Sequence, residues 1–474
     1  MHRMGRLAIA IVVLLSLATP VQAAGIDDCR ISASPNQTVS LGFPIKTERL
    51  AAAAKSKILV IPFKLKDNPT YVFSDALKAD YLTAAQNISK LSNGLASVEF
   101  VFAPTISTEL TNADMDQLKI NQREYWQRDE NKSTWGFVRK FIADNDPQLD
   151  YTGINGVIIE GSSTSQFSDI AEAFMFSQNP QNPWFRPIQT KEGLLLNAVL
   201  LDNDSSHETI THEVMHLYGL TDLYGTDTGP GRLSLMASNE LNLLSYEKWV
   251  LGWLPNNDVT CISSLPNKSI TSFTFDNSKV DQLAVIRAPN EDAYIVETTR
   301  SGGRKFVAFY TLNNEQRPPI TLYQERTRAQ SGGVEIEDYR SIGVLLKAPK
   351  YTLLVTNIEP SKISFSLIPT PLVDSSEYKE LIAKTAQNRT LVEQQNNAAA
   401  ELKAKQETEA KAAAELKAKQ EAEAKAAADL KAKQDAAAKA AAVKKKTTIT
   451  CVKGKTVKRV SAVSPKCPSG FKRR

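Results

Sequence analysis

Three tandem copies of a fourteen-residue unit set the strongest limit on what this chain can become: AAAELKAKQETEAK (398–411), AAAELKAKQEAEAK (412–425) and AAADLKAKQDAAAK (426–439). With one leucine per copy (Leu402, Leu416, Leu430), the unit has no apolar face to bury and cannot join a globular core. Glu401–Lys405 and Glu415–Lys419 fall four apart, which supports a helix standing on its own. Fourteen is two heptads, yet one leucine in each is a thin seam for a coiled coil. A solvated, semi-rigid helical spacer over 371–446 is the first expectation and weak self-association the second.

The 474 residues exceed one ordinary domain. MHRMGRLAIAIVVLLSLATPVQAA (1–24) starts with Arg3 and Arg6, runs apolar from Leu7 to Leu17 and ends in small residues, the pattern of a secretory signal cleaved after Ala23 or Ala24. The apolar run is shorter than the roughly 20 residues of a membrane span. A secreted, extracellular protein with no transmembrane span after cleavage is therefore expected. Export permits disulfides among Cys29, Cys261, Cys451 and Cys467. Of the possible pairings Cys451–Cys467 is the most economical, leaving Cys29–Cys261; a free Cys29 that blocks a metal in a latent form is the alternative. The net charge of +5 is local, because residues 444–474 hold eleven Lys and Arg and no acid, leaving −6 elsewhere. The main body is thus not expected to bind nucleic acid, whereas the tail (447–474) is expected to meet an anionic cell-envelope surface.

KILVIPFKL (57–65), ASVEFVFAP (96–104) and GVIIEG (156–161) read as strands, and SDALKADYLTAAQNISKL (74–91), capped by Ser74, and STWGFVRKFIADN (133–145) as helices. GLLLNAVLLD (193–202) is a strand pair or the edge strand of the sheet. This alternation predicts a mixed α/β layer structure over 51–256, after a 25–50 amino-terminal segment. From 257 to 370 the short runs SITSFTF, QLAVIRA, AYIVETT, KFVAFYTL, GVLLKAP, YTLLVT and KISFSLI predict a β-sandwich-like second domain. The fold class expected for the whole is α+β, with a long helical stalk and a basic disulfide tail.

The chemistry lies in THEVMHLYGLTDLYG (211–225). Of four histidines, three fall within ten residues: His207, His212 and His216. Ser205 with Glu208 fits a capping box, so a helix starts there and presents His212 and His216 four apart on one face, where two imidazoles can hold one ion. Glu213 lies beside that ion as its general base, and Gly219 turns the chain so that Asp222 returns toward it. Two histidines and a carboxylate leave a fourth position for water, the mark of a catalytic zinc site. His207 points to another face and is no ligand. In a competing reading Asp222 orients a histidine while Glu240 or Glu247 completes the metal sphere. DNDSS (202–206) is a candidate for Ca2+ without ligand spacing to support it. Tyr218, Tyr224 and Tyr246 are close enough to serve as oxyanion donor, and the sequence chooses none.

HEVMHLYGLTDLYG followed by LSYEKWVLGWL (244–254) resembles the immune-inhibitor-A-like (M6-type) secreted zinc metalloproteases, whose pattern is His-Glu-x-x-His-x-x-Gly-x-x-Asp with a Leu-Gly-Trp segment downstream. KILVIPFKLKD, the Asn-Gly turn before ASVEFVF, YTGINGVIIEG and AYIVETTRSGG are similar to landmarks of that family. The resemblance covers about residues 50 to 350, and only the zinc motif with its downstream helix is specific. It implies a metzincin-like catalytic domain, a methionine turn at Met236 under the metal, and hydrolysis of peptide bonds by a water that Zn2+ acidifies and Glu213 deprotonates. The chain departs from the family in its short 25–50 segment, where a latency propeptide is common. A non-catalytic adhesion or scaffold protein retaining a metalloprotease fold is the alternative, and the intact Glu213 favours the enzyme.

Overall fold

The computed structural model describes residues 25–125, 132–161, 171–179, 185–202, 205–263, 268–288, 293–323, 333–336, 339–442 and 445–474. The expected signal segment and two residues of DNDSS, Asn203 and Asp204, lie outside them. No helix among the described residues is long and apolar enough to cross a membrane. The chain forms two units, Met1–Leu391 and Val392–Arg474.

β1 (Lys55–Lys64) buries Leu59 and Ile61 on one face and Ile58 and Val60 on the other, which is why it reads as a continuous apolar run. α1 (Asp75–Leu91) starts at Ser74, whose hydroxyl accepts the Leu77 N–H. β2 (Ser97–Phe102) and β3 (Ile106–Ser107) pair parallel with β1. α2 (Asn112–Tyr125) and α3 (Thr134–Asn145), the latter capped by Ser133, lead to β4 (Gly156–Gly161). Then come β5 (Ala171–Met175), the hairpin β6 (Ile188–Thr190) and β7 (Gly193–Leu195), β8 (Asn197–Asp202) and α4 (His207–Tyr218). The sheet order is β2-β1-β4-β8-β5, parallel except that β5 runs antiparallel to β8.

GLLLNAVLLD is therefore no edge strand. Its second half, β8, is an inner strand buried throughout, and its first half belongs to the separate hairpin. The strand at that end of the described order is β5, whose AEAFM is too short to announce itself; pairing to β8, not local pattern, makes it a strand. Val60, Ile158 and Val199 face Tyr81 and Ile88 of α1 and Ile210 and Val214 of α4. On the opposite face Ile61, Ile159 and Leu200 meet Trp135, Val138 and Phe141 of α3. The sheet is thus covered by helices on both faces.

After the short helix α5 (Ser245–Val250) the strands are β9 (Val259–Ile262), β10 (Thr271–Asp276), β11 (Gln282–Arg287), β12 (Ala293–Ser301), β13 (Arg304–Leu312), β14 (Ile320–Leu322), β15 (Val334–Glu335), β16 (Leu345–Lys347), β17 (Tyr351–Ile358) and β18 (Lys362–Pro369). One sheet has the order β14-β13-β12-β11-β9, with β15 also on β13, and a second has β10-β18-β17-β16. Ile286, Val296 and Phe309 of the first share a core with Phe275, Leu353 and Phe365 of the second. The first sheet turns Leu283, Ile295 and Tyr310 the other way, into the core that also holds α4 and α5. Cys29–Cys261 ties the amino-terminal segment to β9. The architecture is α+β with several sheets.

α6 (Ser376–Ala442) is one helix of 67 residues, and Leu402, Leu416 and Leu430 on it are 58–59% exposed. In the carboxy-terminal unit β19 (Thr447–Lys453) lies between β20 (Thr456–Ala462) and β21 (Lys472–Arg473), closed by Cys451–Cys467.

Candidate metal centre

α4 is capped by Ser206, in extended conformation, whose hydroxyl accepts the Thr209 N–H at 3.4 Å. The expected box of Ser205 with Glu208 is corrected: Ser205 stands one residue too early, its Oγ 3.4 Å from Asp202 Oδ1, and Glu208 lies 3.3 Å from His207 Nδ1. His207 also meets Asn87 of α1 at 3.3 Å, on a different side of the helix from the other two histidines.

His212 and His216 stand one turn apart with ring centroids 4.9 Å apart. α4 stops at Gly219, whose φ of +109° is left-handed; a Cβ there would also come within 3.1 Å of Ile45. The turn carries Asp222 back over the histidines. Its Oδ1 lies 3.2 Å from His212 Nε2 and 3.1 Å from His216 Nε2.

The opposite ring nitrogens settle the tautomers. His212 Nδ1 is 2.9 Å from the Leu235 carbonyl and His216 Nδ1 is 2.8 Å from the Leu220 carbonyl. A carbonyl only accepts, so both Nδ1 atoms donate, and each neutral ring has its lone pair on Nε2, facing the same carboxylate oxygen. Lone pairs do not face an anionic oxygen at that distance without positive charge among them. Either a proton or a divalent cation held between them would supply it. A tetrahedral zinc with ligands at 2.0–2.2 Å places its donor atoms about 3.3 Å apart, close to the spacing found. His212, Glu213 and His216 form a group whose ligand atoms all lie within 4.8 Å of one another, and this group could hold a metal ion.

Burial pushes the Glu213 carboxyl up, against the pull of His216 and His212. Burial lowers the His216 imidazole, but the hydrogen bond to Asp222 and the charges of Glu213 and Asp222 outweigh it and hold it at about 9. Asp222 is also raised by burial, yet its bonds from both histidines keep it well below the usual carboxylate range.

A cleft of about 250 Å³ opens here, lined on one side by Glu213, His216, Asp222 and Tyr224 and on the other by strand β5, Trp135 and Phe185. Of the three tyrosines, Tyr218 and Tyr246 are fully buried, whereas Tyr224 is exposed at the cleft, its ring stacked 6.2 Å from His212. Burial, with Asp222 and Glu213 nearby, pushes its phenol well above the ordinary range, so it stays a proton donor. Glu240 pairs with Arg232 at 3.2 Å. Glu247 is buried, its carboxylate accepting from Ser234 Oγ and the Leu244 N–H. Met236 is fully buried in the turn that follows Leu235, its carbonyl accepting the Leu223 N–H at 2.8 Å. The two carbonyls that fix the histidines had no signature in the sequence, since any residue carries one. Val39 was equally hidden: the 25–50 segment crosses the end of α4, with Ser40 N–H on Gly219 O, and brings Val39 into the cleft wall.

No family model and no curated protein matches the chain. Among solved structures it is similar to the crystal structure of metalloproteinase-II from Bacteroides fragilis, at 16% identity and a TM-score of 0.23, over 48% of this chain and 60% of that one. An overlay so loose carries no argument, and the case for the site rests on its own geometry.

Proposed function

We propose that the protein is an exported zinc-dependent endopeptidase of the immune-inhibitor-A-like, metzincin-type kind, with His212, His216 and Asp222 holding the metal and Glu213 as general base. The observation that carries this reading is one Asp222 oxygen 3.1–3.2 Å from two imidazole Nε2 atoms whose Nδ1 protons are both committed to backbone carbonyls. Bound zinc supplies Lewis acidity toward a water and a peptide carbonyl. Glu213 takes the proton of the attacking water on its carboxylate and passes it to the departing amine nitrogen. Tyr224 donates its phenolic hydrogen to the oxygen that gains negative charge. Strand β5, last in the described order of the sheet, lines the cleft along its length, where an extended peptide can lie beside it.

Glu213→Gln tests the reading, because it keeps the shape and both histidines while removing the base. Zinc content, measured on purified protein, is expected to stay near the parent's while casein digestion falls by about 100-fold or more. Digestion at the parental rate would show that Glu213 is not the base.

A further inference from the structure

The Leu235 carbonyl that accepts His212 Nδ1–H belongs to the same planar peptide group as the Met236 N–H. That N–H donates to Ser234 Oγ at 3.0 Å. Ser234 Oγ, fully buried, then donates its own hydrogen to Glu247, whose two oxygens lie 2.8 and 3.1 Å away. Glu247 Oε2 also accepts the Leu244 N–H at 2.7 Å. One peptide plane is therefore clamped at both ends, by an imidazole on its oxygen and by a hydroxyl–carboxylate pair on its hydrogen.

We propose that Glu247 is a positioning residue for the metal centre, acting on His212 through the Ser234 hydroxyl and the Leu235–Met236 peptide. The inference rests on the reading of His212 as a metal ligand. A carboxylate at the far end of a hydrogen-bonded chain polarises each link, so the Leu235 oxygen becomes a stronger acceptor and His212 Nε2 a better donor to a cation. Rotation of the peptide would withdraw the carbonyl from the ring, and Ser234 prevents it. The arrangement reaches further, because the first turn of α5, which carries Glu247, is itself held by Glu297 of β12. Glu297 accepts the Ser245 N–H at 3.1 Å and the Tyr246 N–H at 2.9 Å, and Tyr310 donates to it at 3.0 Å. The sheet built after residue 257 thereby fixes the turn beneath the histidine.

The test uses the full chain in parental, Glu247→Gln and Ser234→Ala forms. Glutamine can keep both bonds to one oxygen and loses only the charge; alanine removes the clamp on the Met236 N–H. Nitrogen-15 NMR of labelled imidazoles in metal-free protein is the first readout. His212 in the parent is expected to show a protonated, hydrogen-bonded Nδ1, and in Ser234→Ala a mixture of tautomers. His216, held from Leu220 on the other side, is expected to be unchanged and serves as the internal control. Zinc affinity is the second readout, and both variants are expected to bind at least about tenfold more weakly. His212 signals and zinc affinity equal to the parent's in both variants would overturn the proposal. A parent that binds zinc and cleaves no protein would instead count against the protease reading and leave this comparison decisive.

Discussion

At the scale of single residues, Asp222 carries the sharpest distinction. It sits 3.1–3.2 Å from both Nε2 atoms, while Glu240 faces Arg232 and Glu247 is spent on Ser234 and Leu244. Asp222→Ala is therefore expected to lose most bound zinc, and Glu240→Ala to keep it, by metal analysis after dialysis. Retention of stoichiometric zinc by Asp222→Ala would remove it from the ligand set. Proximity of these residues was legible in the sequence, because i,i+4 spacing and a glycine stop are local rules. What holds the imidazoles from behind was not, since Leu220 and Leu235 act through their backbone, and Leu235 lies 23 residues from His212.

At the scale of elements, the parts written in local pattern were readable: β1 as an apolar run, α1 with its Ser74 cap, and α3 as a helix. Placement within the sheet was not, because neighbours are chosen by long-range pairing; hence the inner position of β8 and the place of β5 at the end of the described order. The same holds for a polar contact that no spacing announces, between Tyr81 of α1 and Glu160 of β4, where the phenol donates to a fully buried carboxyl whose other oxygen has no hydrogen-bond partner among the described residues. Burial raises Glu160 from 4.5 to about 8, opposed by the Tyr81 bond and reinforced by Asp202 and Asp80. Between those values the folded chain keeps a proton that the unfolded chain has released, so this contribution is full below 4.5 and is lost as pH rises through about 8. Glu160→Gln keeps an acceptor for Tyr81 and removes the ionisation. Its stability by urea unfolding is expected to gain on the parent with rising pH, by about 3 kcal/mol at pH 7. Parallel profiles from pH 5 to 8 would mean that Glu160 ionises in the fold as freely as in the unfolded chain.

At the scale of the whole molecule, the carboxy-terminal unit has no part in the proposed chemistry, and its charge needs its own explanation. Lys453, Lys455, Lys458, Arg459, Lys466, Lys472, Arg473 and Arg474 stand in or beside a three-stranded sheet closed by Cys451–Cys467, with no acid among residues 444–474. If charge alone were useful, an unstructured run of lysines would suffice; a disulfide and a sheet fix the cations in register instead. Val457 and Val463 are exposed, and Phe471 lies 5.4 Å beneath Lys458, so the cations outnumber the exposed apolar side chains of this sheet. The full chain is expected to be retained on cell envelopes at low salt, and a chain ending at residue 446 to be released. Raising the salt from 0.1 to 1 M shortens the screening length from about 10 to about 3 Å and is expected to release the full chain as well. Cell-wall polymer and acidic-lipid vesicles, tried separately, test whether either anion binds the tail. Paired Cys451→Ser and Cys467→Ser substitutions preserve every charge and open the sheet, so weaker retention is expected if register matters. Retention equal to the parent's in that variant would reduce the tail to its charge alone, and retention of the truncated chain would leave it without a role in attachment.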